Sequence, residues 1–150
     1  MDEQEAARSL DMMRAARGML AARTRWSSAR HAAVGLLLGG LIAGYALPGS
    51  WPVAVVVVCL AATVAIVTRD RRRDGFFVNG YRTGRTRSIT FALAAIAFAA
   101  LVSAISLKQR YGLDWAPVAI GIVLAIVATI VSIVWERVYR QELEEPGRER

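Results

Sequence analysis

The sequence predicts an all-α membrane protein: a four-helix transmembrane bundle running up, down, up and down, with an N-terminal cytoplasmic amphipathic helix. Three observations carry that expectation. Four stretches, 32–47, 53–68, 89–107 and 115–135, contain no Asp, Glu, Lys or Arg. All four Trp lie at or just outside the ends of those stretches, and seventeen of the nineteen basic residues fall on one side of them. The chain has 150 residues, 55% of them hydrophobic and 21% charged, with a mean hydropathy of +0.39. A soluble domain is about 45–50% apolar with glycine included. Concentrating the excess into four uncharged blocks excludes an ordinary soluble enzyme domain, a secreted disulfide scaffold and a disordered tail.

The division that follows is a cytoplasmic N-terminal helix over 1–30, a transmembrane domain over 31–136 and a charged cytoplasmic tail over 137–150. Within 2–25, Ala6, Leu10, Met13 and Leu20 form one apolar stripe, interrupted by Arg17. Such a stripe suits the membrane surface, a partner helix or the helix's own bundle. A hydrocarbon core about 30 Å thick takes about 20 helical residues. Stretches 89–107 and 115–135 meet that requirement. Stretches 32–47 and 53–68 rise only about 24 Å each and need flanking residues such as Ala29, His31 and Trp51 to cross. A polar lead of 31 residues is too long for a signal-peptide n-region, so the first span is expected to stay as an anchor.

Sidedness comes from arginine. Arg8, Arg14, Arg17, Arg23, Arg25 and Arg30 precede the first span; Arg69, Arg71, Arg72, Arg73, Arg82, Arg85 and Arg87 lie between spans two and three; Arg137, Arg140, Arg148 and Arg150 follow the fourth. The other side holds only Lys108 and Arg110. The positive-inside rule then puts both termini in the cytoplasm. Trp26, Trp51, Trp115 and Trp135 are expected as interfacial anchors, joined by Phe76, Phe77 and Tyr81. The turns around Pro48 and Pro52, and around Asp114 and Pro117, read as short exterior connections. Ser50 and Asp114 are expected to cap the helices that follow, and Ser88 to cap the third span.

Helices in lipid associate by close backbone approach, which small residues allow. The candidates are Gly35, Gly39, Gly40 and Gly44 in span one, Ala95, Ala99 and Ser103 in span three, and Gly121 and Ala125 in span four, with Ala61 and Ala65 in span two. Packing inside one bundle is the favoured use of the span-one glycines; a homo-oligomer interface is the other.

Catalytic and metal-binding chemistry are not legible. No Asp, Glu, Lys, Arg or His lies within the four stretches, where such residues usually mark ion or proton pathways. The one His, His31, reads as an interfacial residue, and the one Cys, Cys59, has no partner for a disulfide or metal cluster. Ser103, Ser106, Thr129 and Ser132 are expected to bond back to helix carbonyls. No catalytic residue, metal ligand or cofactor is expected.

The connection 69–88 stands out, with seven Arg and two Asp in twenty residues. Span two is expected to project into water as far as Arg73 and stop at Gly75, with Asn79-Gly80 forming a turn. The connection can set topology, bind anionic headgroups at about 1 kcal/mol per Arg near the surface, or dock a cytoplasmic partner; nucleic acid is the weakest of these. Its motif Asn79-Gly80-Tyr81-Arg82-Thr83-Gly84-Arg85-Thr86-Arg87, with Trp135, Glu136, Arg137, Val138 and Tyr139 after span four, resembles a group of uncharacterised small four-span bacterial integral membrane proteins. The resemblance implies a bacterial inner-membrane location and carries no activity with it. The expectation for function is a non-enzymatic scaffold or regulator whose basic cytoplasmic face engages anionic lipid or a protein partner. The alternative is an oligomeric passive channel or small-solute permease built along 35–44, and a lipid-modifying enzyme using Asp70 and Asp74 is a distant third.

Overall fold

The computed structural model describes residues 26–74 and 85–144, and helical positions 4, 5, 7–9, 11, 12 and 15. Among the described residues the chain is all-helical. Four helices, α1 (Ser28–Ala43), α2 (Trp51–Asp74), α3 (Arg85–Tyr111) and α4 (Ala116–Glu144), follow one another, with a short 3-10 turn at Gly44–Ala46. All four are long and apolar enough to cross a membrane. The N-terminal stripe residues Ala6, Leu10, Met13 and Leu20 lie outside the described residues, as do Phe76, Phe77, Tyr81 and Arg82.

α2, α3 and α4 exceed their uncharged stretches, because polar ends continue a helix at no cost once they reach water, whereas α1 starts four residues early and gives way to the 3-10 turn at Gly44. α1 begins at Ser28, where the Ser27 hydroxyl caps the Arg30 N–H at 3.4 Å. α2 runs on through the arginines to Asp74. α3 begins at Arg85, which places Ser88 inside the first turns and corrects its expected role as a cap. α4 begins at Ala116, and its first acceptor is the Trp115 carbonyl, bonded by Val118 and Ala119 at 3.1 Å, not Asp114. It continues unbroken from Glu136 to Glu144, so the expected boundary at 136/137 is not a break in secondary structure. The two short turns between α1 and α2 and between α3 and α4 each hold a glycine at positive φ, Gly49 at 60° and Gly112 at 66°. Gly112 ends α3 in the left-handed conformation that glycine adopts without a Cβ penalty.

The centre of the molecule is the α1–α4 pair. Of the most apolar window of each helix, 28% is buried in α1 and 22% in α4, against 6% in both α2 and α3. The reason is glycine. A Cβ at Gly35 would collide with Thr129 Oγ1 and the Ala125 carbonyl, and one at Gly39 with the Gly121 carbonyl and the Ala125 Cβ. The backbones therefore touch, and the register is antiparallel: Gly35 meets Ala125 and Thr129, while Gly39 meets Gly121 and Ala125. Gly44 lies against Val55 of α2, and only Gly40 of the span-one set faces open space.

Ile42, Ala104 and Leu124 form a thin apolar centre, with Leu38, Ala97, Ala100, Leu101 and Ile120 packed on it. α3 thus turns Ala97, Ala100, Leu101 and Ala104 inward, and Ala95, Ala99 and Ser103 face outward, a correction to their expected packing role. In a helix this rich in alanine several small-residue stripes coexist, and the bulk of Leu101 selects one of them. α2 meets the end of α1 where Val55 lies against Gly44; Cys59 is buried and Ala62 and Ile66 are partly buried, while Ala61 and Ala65 are exposed. Val53, Val57, Val58, Leu60 and Phe98 are more than half exposed. An apolar outer surface of that extent is matched to lipid, where exposure of apolar side chains has no cost.

Candidate functional site at the basic rim

Polar chemistry collects at the end of the helices where the arginines lie. His31, one turn into α1, is buried, with 5% of its surface exposed. Its Nδ1 lies 2.9 Å from Ser132 Oγ and its Nε2 lies 2.9 Å from Glu136 Oε2. Ser132 and Glu136 are four apart on α4, hence one above the other on the same face, and they grip the ring from both sides. The Glu136 side chain is 12% exposed. This corrects two expectations: His31 is an interhelical residue rather than an interfacial one, and Ser132 bonds across to it. Thr129 does bond back, to the Ala125 carbonyl at 2.8 Å.

Around this clamp the rim is built from all four helices. The Arg30 guanidinium meets Asp70 Oδ2 of α2 at 2.7 Å, a charge contact off the hydrogen-bond direction. It also covers the Trp26 ring at 3.4 Å. Trp26 stacks on Trp135 at 5.3 Å and Trp135 on Tyr139 at 5.2 Å, with His31 tilted against Trp26 at 6.0 Å. Trp26 and Trp135 therefore form an aromatic column rather than two separate anchors. From α3, the Thr86 backbone N–H and hydroxyl donate to the Glu142 carboxylate at 3.3 and 3.4 Å.

Comparison with protein-family models, with curated proteins and with solved structures found no match to this chain. What the rim does is therefore argued from its own atoms.

The expected contact residues distribute unevenly. Arg69, Arg71 and Arg72 are exposed on the last turns of α2. Arg87 is exposed at the start of α3, its guanidinium 5.5 Å from the Phe91 ring. Arg73 and Arg85 are helical positions. Trp51 and Trp115 stand at the opposite rim, 64% and 65% exposed, as anchors would. Asp70 turns inward to Arg30, so one of the two acidic residues of that run is engaged by the fold, beside the exposed Arg69, Arg71 and Arg72. Among the described residues no three potential metal ligands converge.

Sequence reasoning missed the His31 clamp, although a signal was present. Pairing Gly39 with Ala125 and Gly35 with Thr129 sets an antiparallel register. One more turn carries His31 to the level of Ser132 and Glu136.

Proposed function

We propose that this chain is a non-enzymatic multi-pass protein of a bacterial inner membrane, a scaffold or regulator that engages anionic headgroups through a basic cytoplasmic face. In this reading the four helices form an up-down-up-down bundle with both termini in the cytoplasm. The N-terminal segment is a surface helix. Support for sidedness comes from the arginine asymmetry, which the exterior turns do not share.

The observation that carries the reading is the end of α2. Beyond its apolar stretch the helix continues to Asp74, so Arg69, Arg71 and Arg72 are held exposed on a regular element, a placement that supports contact with headgroups. The pairing of Asp70 with Arg30 keeps a carboxylate out of that face. Arginine suits the task because its planar fork donates bidentately to phosphate oxygens. The channel alternative loses its proposed interface: Gly35 and Gly39 are consumed against α4, and Gly44 against α2.

Native mass spectrometry tests the proposal on protein released from nanodiscs of mixed phosphatidylethanolamine, phosphatidylglycerol and cardiolipin. The expected result is retained anionic lipid, reduced severalfold when Arg69, Arg71 and Arg72 are together changed to Ala. Equal retention by both proteins, or no preference for anionic lipid, overturns it.

A further inference from the structure

His31 is the one histidine of the chain, and it is buried between two helices that are otherwise joined by apolar and backbone contacts. Ionisable side chains inside membrane helices are costly and usually functional. We propose that His31 is a proton-operated latch between α1 and α4, closing on Glu136 more tightly when the adjoining aqueous phase acidifies.

The two hydrogen bonds define how a proton enters. An ionised carboxylate only accepts, so in the neutral ring Nε2 carries the hydrogen and donates to Glu136. Nδ1 is then a bare acceptor, and the Ser132 hydroxyl donates to it. A proton arriving from water has one vacant place, Nδ1. When it binds there, Ser132 reverses role: its oxygen accepts from Nδ1–H, and its own hydrogen swings to the Ala128 carbonyl, the i−4 acceptor that helical serines commonly use. Both ring nitrogens thus keep a partner in both states. The neutral–ionic bond to Glu136 becomes an imidazolium–carboxylate pair, and charge-assisted bonds of that kind are shorter and stronger.

The surrounding charges shape the response without abolishing it. Glu136 faces the ring from α4, with Tyr139 and Arg140 following on the same helix. From α1 the adjacent Arg30 contributes a positive charge, offset by Asp70 of α2 at 2.7 Å. On α3, Thr86 is engaged by Glu142, further along α4. The readout lies in the Trp26 ring, which neighbours both side chains: the Arg30 guanidinium covers it at 3.4 Å and the His31 ring lies tilted against it at 6.0 Å. Charge gained at His31 therefore acts on the Trp26–Trp135 stack, where the N-terminal segment enters α1. This adds a regulatory input and stands independently of the headgroup reading.

The test uses the full-length chain in lipid nanodiscs with nitrogen-15 in its single imidazole. At pH 8 the expected spectrum has one exchange-protected ring N–H, on Nε2, and acidification adds a second on Nδ1. Glu136→Gln is expected to speed exchange of the Nε2 hydrogen at least about tenfold, since a bond to a charged partner is lost. Tryptophan fluorescence is expected to change with pH in step with the imidazole and to become pH-independent in His31→Gln, an amide that bonds but does not titrate. A ring hydrogen on Nδ1 at pH 8, no protected ring hydrogen, or a fluorescence response that survives His31→Gln would each overturn the proposal. If a variant fails to fold, the wild-type spectrum still decides.

Discussion

At the turn rim a single cation does the tying. Lys108 of α3 donates to the Tyr45 and Ala46 carbonyls at 2.9 and 3.1 Å, filling acceptors left open where α1 ends. Gln109 adds a long bond to the Tyr45 hydroxyl at 3.5 Å. At the basic rim three separate side-chain pairings, Arg30–Asp70, His31 with Ser132 and Glu136, and Thr86–Glu142, join α1 to α2, α1 to α4 and α3 to α4. The difference follows chain connectivity. At the turn rim α1 is joined to α2, and α3 to α4, by a few residues each, so closing those pairs costs little chain entropy. At the other end no short connection joins α1 to α4, and α2 and α3 are linked through a longer segment. There, side chains must hold what the backbone does not.

The comparison can be broken from the seam outward. Gly39→Leu should have the largest effect, because it places a side chain where the Gly121 carbonyl and Ala125 Cβ already lie. A loss of about 3 kcal/mol or more is expected from overpacking that cannot relax, measured by reversible unfolding in mixed detergent. Gly40→Leu, one residue away in open space, should be close to neutral in the same assay. Similar losses from the two would mean that the backbones do not meet at Gly39.

Next in size is the basic rim. Glu136→Ala leaves a buried imidazole hydrogen without its acceptor, for an expected loss of about 1–3 kcal/mol. Lys108→Met at the turn rim should cost less, about 1 kcal/mol, because the half-buried carbonyls it serves can recruit water. A larger loss from Lys108→Met than from Glu136→Ala would reverse the assignment of the two rims. Smallest of all, Ala99→Leu on the outward face of α3 should stay within about 0.5 kcal/mol of wild type. A substantial loss there would show that this face meets a protein surface rather than lipid.

The helices were legible because their signal is local. An uncharged stretch bounded by Trp, Pro and Arg needs no partner to declare itself: all four helices begin within four residues of the expected start, while α2 and α4 run on to Asp74 and Glu144, well past the expected ends at 68 and 135. The inner face of α3 was not legible, since Ala95, Ala99 and Ser103 look as suitable as Ala97, Ala100 and Ala104 until a neighbour selects between them. The glycine seam was half legible: residue type announced close approach, but the partner helix had to be found.

Hydropathy and charge patterning thus settled, from composition along one dimension, that this chain has four apolar helices with all its arginines but Arg110 on one side of them in sequence. Which helix face is inside, and which polar groups meet across 101 and 105 residues of sequence, was left to packing. The physical reason is register. Lipid solvates every apolar face alike, so hydropathy cannot rank them, whereas backbone contact at Gly35 and Gly39 admits one alignment of α1 on α4. That alignment sets His31 between Ser132 and Glu136.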